Sequence, residues 1–169
     1  MASANTSQLR LPLAYTLWFI WIDPILSLLG AYGGLFEPYL LLLSFIPATI
    51  PNAAAPTEPL ANPDISMNPA HTMIFNQLGG FFILTFTLSA FMLRATNDLT
   101  VWKFYQGAIS LVDVIILVAT AAEYSRQGRL SPLVWRSEDW FSVVVTGACA
   151  LLRISFVLGI GLDKKRKTN

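Results

Sequence analysis

The chain has 169 residues, is 54% hydrophobic and 12% charged, and carries a formal net charge of +1 with a mean hydropathy of +0.57. These values exclude an ordinary soluble domain and a basic nucleic-acid binder, and describe a polypeptide dissolved in lipid. A spanning helix needs about 20 predominantly apolar residues, and four stretches qualify, at 12–36, 72–93, 101–122 and 140–162. The expected fold is all-α: a polytopic membrane four-helix bundle forming a single domain over 1–169, with a short interfacial or re-entrant segment after the first helix.

In chain order, Asn5-Thr6-Ser7 is a glycosylation sequon, expected to lie on the wrong side of the membrane for use. The first apolar segment is too long for a signal-peptide core and is expected to remain in the mature protein. It carries Thr16, Asp23, Ser27, Gly30, Gly34 and Glu37 at helical spacing, so that one face is polar or small. Segment 39–50 is apolar but short, and Pro38 and Pro47 bracket it, which disfavours a continuous span. The proline-rich stretch that follows reads as a lumenal loop over 51–71. Asn76 and Gln77 fall one turn inside the start of the second span. The connection Ala95 to Thr100 is a turn and makes the second and third spans antiparallel neighbours.

The third span repeats the polar stripe with Gln106, Ser110, Asp113, Thr120 and Tyr124, and the fourth with Asp139, Ser142, Thr146, Cys149 and Arg153. Ser137-Glu138-Asp139 supplies capping chemistry for that last helix. Lipid gives no reward to a polar group, so three such stripes predict that these faces meet and line one interior. Cys149 is the only cysteine, which rules out an intramolecular disulfide.

Lysine and arginine accumulate on the cytosolic side of short loops. With both termini cytosolic, that side collects Arg10, Arg94, Lys103, Lys164, Lys165, Arg166 and Lys167, against Arg126, Arg129 and Arg136 on the other. The basic tail, 163–169, also places lysines third and fifth from the end, the pattern of a dilysine retrieval signal. An endoplasmic reticulum location follows as an expectation; the alternative is a stop-transfer cluster touching anionic lipid.

Asp23, Asp113 and Arg153 lie near the centres of their apolar segments, where a charge costs several kcal/mol and marks a bundle interior or a site. Two midplane carboxyls face one guanidinium, so a structural ion pair between Asp113 and Arg153 leaves Asp23 as a candidate general acid. Asp113 or Glu123 is the candidate base, and Arg153 the positioning group. Glu37, Asn76, Gln77, Gln106, Asp139 and Trp140 are read as lining a polar, substrate-binding cavity that opens at the lumenal interface. There is no cluster at metal-ligand spacing, no phosphate-binding glycine loop and no nucleophile with a histidine beside it. The expectation is chemistry without metal or cofactor.

Trp21 to Pro24, Gln77-Leu78-Gly79-Gly80, Leu93 to Leu99 followed by Val101-Trp102, and Asp139-Trp140 together resemble a family of small fungal four-helix integral membrane proteins, some of them encoded in natural-product gene clusters. That family more often has Glu where this chain has Asp23. More distantly the layout is similar to sterol-isomerase-type bundles and fungal membrane terpene cyclases. The resemblance implies a cofactor-independent isomerase or cyclase acting by proton transfer on a terpenoid or other lipophilic natural product. The alternative is a non-enzymatic accessory protein that holds an intermediate or scaffolds other membrane-bound pathway enzymes. Either way the expected partners are a lipophilic small molecule and the bilayer, with no nucleic acid.

Overall fold

The computed structural model describes residues 11–45 and 68–162, and these are helical apart from their connections. Four long helices, α1 (Leu13–Phe36), α3 (Pro69–Ala95), α4 (Leu99–Arg126) and α5 (Ser137–Val157), match the four expected spans. A short α2 (Pro38–Phe45) packs against α1, α3 and α5; at eight residues it cannot cross a bilayer. Residues 46–50, the sequon, most of the 51–71 loop and the tail from residue 163 fall outside the described residues.

Local chemistry sets the helix limits. Asn68 accepts the Ala70 N–H at 2.9 Å ahead of Pro69, and Asp98 accepts the Thr100 N–H at 2.7 Å to open α4. Gly128, at φ 66°, stops α4: its N–H bonds the Ser125 carbonyl at 3.1 Å and the Arg129 N–H bonds that of Tyr124 at 2.9 Å. Gly159, at φ 79°, closes α5 in the same way through Phe156 and Ser155. For that reason α5 ends at Val157 rather than running to 162.

The exterior is apolar. On α4, Phe104, Leu111, Ile115 and Val118 are between 63% and 77% exposed and recur at helical spacing opposite the polar stripe. With four helices long and apolar enough to cross, this is an integral membrane protein.

The closest packing pairs α1 with α3 and α4 with α5. Glycine explains the first pair. A Cβ on Gly34 would stand 2.7 Å from the Gly79 Cα and 2.7 Å from the Phe75 carbonyl oxygen, so backbone meets backbone at this crossing. The turn joining α3 to α4 keeps those helices antiparallel, but Trp102 and Tyr105 hold their backbones farther apart: the Trp102 Nε1–H bonds the Thr96 carbonyl at 3.2 Å, and the Tyr105 hydroxyl that of Thr85 at 3.0 Å. The apolar core sits at this end of the bundle, where Tyr15, Phe19, Leu93, Trp102, Tyr105 and Phe156 are buried together. Ring centroids of Phe19 and Phe156 are 5.2 Å apart, edge to face.

Both α1 and α3 contain a π-helical turn, Trp18–Ile22 and Leu88–Met92, and the two turns touch. The cause in α1 is Pro24, which has no N–H to give to the Ile20 carbonyl. Arg94 supplies the missing donors. Its Nη2 donates to the Ile20 carbonyl and its Nη1 to that of Ala90, both at 2.7 Å, while its guanidinium lies 5.0 Å over the Trp21 ring.

Candidate functional site

Immediately after the π turn of α1, Asp23 enters the interior and meets α4 and α5. Arg153 donates through Nη2 to Asp23 Oδ1, through Nη1 to Asp113 Oδ2, and through Nε to Gln106 Oε1 at 3.2 Å. All four side chains are buried: Asp23 is 3% exposed, Asp113 7%, Arg153 3% and Gln106 0%. The three midplane charges that stand out in the sequence therefore form one triad. Two carboxyls surround one guanidinium, and Asp23 Oδ2 and Gln106 Nε2 have no hydrogen-bond partner. Tyr105 and Ser89, beside one another, border this centre on its aromatic side.

Other candidates lie elsewhere. Glu123 is ten residues beyond Asp113, about 15 Å along α4. It pairs there with Arg126 at 3.4 Å and Gln127 at 2.9 Å, which corrects its reading as a base for the triad. Glu37, Asn76 and Gln77 are exposed and, among the described residues, do not line an opening to the triad. The reason is the glycine crossing: Gly34 and Gly79 bring α1 and α3 together at the level where that opening was expected, and turn Asn76 and Gln77 outward. A groove of about 460 Å³ lies instead at the opposite end, lined by Leu99, Thr100, Lys103, Phe104 and Val157.

Asp139 belongs to a second ionic cluster, at the start of α5. It accepts Arg136 Nη2 on Oδ1 at 3.0 Å, and on Oδ2 the Arg136 Nε at 3.2 Å, the Arg136 backbone N–H at 3.0 Å and Arg129 Nη2 at 3.1 Å. The helix cap is thus Arg136 with Asp139 reaching back, rather than the Ser137 hydroxyl. Aromatic rings wall this cluster. The Arg129 guanidinium lies 4.4 Å over Tyr124, Tyr124 is 5.3 Å from Trp135, and Trp135 is 5.0 Å from Trp140, whose outer face is exposed. Asp139 and Trp140 are together as expected, but about 21 Å from Arg153 along α5 by helical rise.

Residues 8–163 match a family profile described as a domain of unknown function, DUF7704. The chain belongs to this family. No curated protein and no solved structure matches it. The match spans both ionic clusters and all four membrane-crossing helices, so the family shares a domain rather than a fragment of this bundle.

Arg129, Arg136, Arg94 and Tyr105 escaped sequence reasoning. The first three lie near helix ends, where arginine reads as a topology signal. Tyr105 lies one residue before Gln106 and outside the polar stripe of its helix. A usable signal existed for Arg94: it is a cation at the end of a span, opposite the proline that frees a carbonyl on a neighbouring helix.

Proposed function

We propose that this protein catalyses proton transfer within the membrane, as a cofactor-independent isomerase or cyclase of a terpenoid or other lipophilic natural-product intermediate. The observation that carries the reading is the charge count of the triad. Asp23, Asp113 and Arg153 are neutral together only if one carboxyl holds a proton, and Asp23 Oδ2 is a buried carboxyl oxygen without a hydrogen-bond partner. In the forward step the Asp23 hydroxyl gives its proton to an alkene carbon of the substrate and leaves a carbocation. A carboxylate of the pair then removes a proton from a neighbouring carbon, which re-forms the double bond and restores the acid. The reaction is redox-neutral and consumes nothing. Arg153 holds the two carboxyls apart and steadies whichever is charged.

The triad is closed, so substrate entry requires helix separation beside Asp23. The π turns supply the place, because the Ile20 and Ala90 carbonyls there are held by a side chain. The cationic bias orients the bundle with the Arg94 and Lys103 end in the cytosol. Two of the three opposing arginines, Arg129 and Arg136, are buried on Asp139, leaving Arg126 as the solvent-facing cation there. The dilysine pattern of the tail supports residence in the endoplasmic reticulum.

One observation favours the second reading, an accessory protein that scaffolds pathway enzymes: every nitrogen of Arg153 is engaged, as in a structural staple. Co-expression with lipophilic precursors, with products read by mass spectrometry, separates the two. A general acid contributes about 10²- to 10⁴-fold in rate, and Asp23→Asn is expected to lose product by that factor. Full product formation by both Asp23→Asn and Asp113→Asn overturns the catalytic reading.

A further inference from the structure

The groove at the start of α4 is an apolar trough with a cation in its wall. Leu99, Thr100, Phe104 and Val157 line it together with Lys103, around a volume of about 460 Å³, which is the size of an ordinary ligand site. Leu99 and Thr100 stand one turn before Lys103 and flank it on the same face, whereas Asp98 is turned about 140° away around the helix axis. Asp98 is also committed to the Thr100 N–H at 2.7 Å. Gly107, one turn farther along α4, bounds the groove: a Cβ there would stand 3.7 Å from Val157 Cγ2, so α4 and α5 are in contact at that level. On the other side Gly159 ends α5 just past Val157, and the Lys103 ammonium lies 3.5 Å from where a Cβ on Gly159 would stand. Lys103 is half-buried and makes no hydrogen bond or ion pair among the described residues.

An unpaired cation above an apolar trough fits an anionic head on an apolar chain. The chain has a path: from Phe104 the exposed stripe of Leu111, Ile115 and Val118 runs down α4. From Phe104 to Val118 is about 21 Å of helical rise, longer than the roughly 15 Å depth of one leaflet, so a whole acyl chain finds apolar surface along it. Charge argues against two other occupants. The chain's own tail carries Lys164-Lys165-Arg166-Lys167, of the same sign as Lys103. A second copy docked through the same face would set Lys103 against Lys103.

We infer that this groove binds an acidic phospholipid, with its phosphate at Lys103 and Thr100 and an acyl chain along Phe104 and the stripe beyond. Lys103 lies ten residues, about 15 Å, before Asp113, and the site binds its lipid whether or not the triad is catalytic.

The test places full-length protein in micelles with equal amounts of dioleoylphosphatidylserine and dioleoylphosphatidylcholine. Native mass spectrometry then reads retained lipid and oligomeric state together. The serine lipid is expected to be retained, one per chain, at least about 5-fold over the choline lipid, the worth of one basic residue at an anionic surface. Lys103→Met is expected to lose this preference and Lys103→Arg to keep it. Thr100→Phe keeps the charge but fills the groove, and is expected to lose it too. All three variants carry the basic tail unchanged, so lipid held by the tail alone remains in each of them. Equal retention of the two lipids overturns the inference, and so does an undiminished preference in both Lys103→Met and Thr100→Phe, which would assign the binding to the tail. A lipid-free dimer that Thr100→Phe dissociates would assign the groove to a second copy and overturns it as well.

Discussion

Replacing Arg153 by methionine tests whether the triad is held by balanced charge or merely filled by it. Arg153 donates to Asp23, Asp113 and Gln106, so Arg153→Met strands two buried carboxyls and one amide. Removing one partner of a buried ion pair costs about 3–5 kcal/mol, because the remaining charge has neither water nor a counter-ion. Two stranded carboxyls instead of one place this variant at the upper end, about 5 kcal/mol. At roughly 2–4 °C per kcal/mol for a chain of this size, the loss in Tm is about 10–20 °C. Asp23→Asn has the opposite character. It leaves Arg153 with Asp113, a matched pair, and removes the surplus acid, so the variant is expected within about 1 kcal/mol of the parent or above it. The triple variant Arg153→Met/Asp23→Asn/Asp113→Asn removes every charge while nearly keeping shape, and is expected to recover at least half of the loss. Thermal unfolding in detergent, followed by tryptophan fluorescence, reads all three. The reasoning fails if Arg153→Met lies within about 1 kcal/mol of the parent, or if the triple variant is no more stable than Arg153→Met. A stable Asp23→Asn that has lost product formation would show a site kept at some expense to the fold.

Gly34→Ala puts a Cβ 2.7 Å from two backbone atoms of α3; ordinary contact is about 3.5–4.0 Å, so α1 and α3 must part by about 1 Å at a cost of about 1–3 kcal/mol. Gly147→Ala, with nothing within 4 Å of the added carbon, is expected to be neutral or to gain up to about 1 kcal/mol of helix propensity in the same melt. Arg94→Met uncaps the Ile20 and Ala90 carbonyls and is expected to speed amide hydrogen exchange through residues 18–22 and 88–92; Arg94→Lys, which lacks the two-pronged head, is expected not to restore protection. Protease protection of terminal tags in intact microsomes is expected to show both termini on the cytosolic side, and a lumenal C-terminus would overturn the orientation.

The helices and their inward faces were legible because lipid enforces a simple rule: polar residues turn inward, and Asp23, Gln106, Asp113 and Arg153 do so at helical spacing. What joins them was also legible in kind, since opposite charges at similar depth pair. The extended cavity was not. Periodicity says which face of a helix is polar, but it does not say whether neighbouring backbones touch there, and at Gly34 and Gly79 they do. Small residues allow both a close crossing and an opening, and only packing decides between them. Asp139 was placed on the correct face yet assigned to the wrong neighbours, because its partners Arg129 and Arg136 come from the loop before its own helix. Loop cations carry no period by which to place them. The π turns were half legible: Pro24 announces a freed carbonyl, whereas nothing comparable marks Leu88–Met92.

The extra residue in the α1 π turn also divides that helix into two parts with separate registers. Each residue along an α-helix turns the chain by about 100°. Deleting one residue between Trp18 and Ile22 would remove the extra residue of the π turn and rotate everything before it by that angle relative to everything after. Asp23, Ser27 and Gly34 would keep their faces, while Tyr15 and Phe19 would swing out of the aromatic core and the Tyr15 hydroxyl would lose the Ile160 carbonyl, 2.9 Å away. The π turn is thus a phase correction between an anchoring segment and a charge-bearing one. Sequences of this domain that gain or lose one residue before the Asp-Pro pair would need a new set of inward residues upstream, with none required downstream.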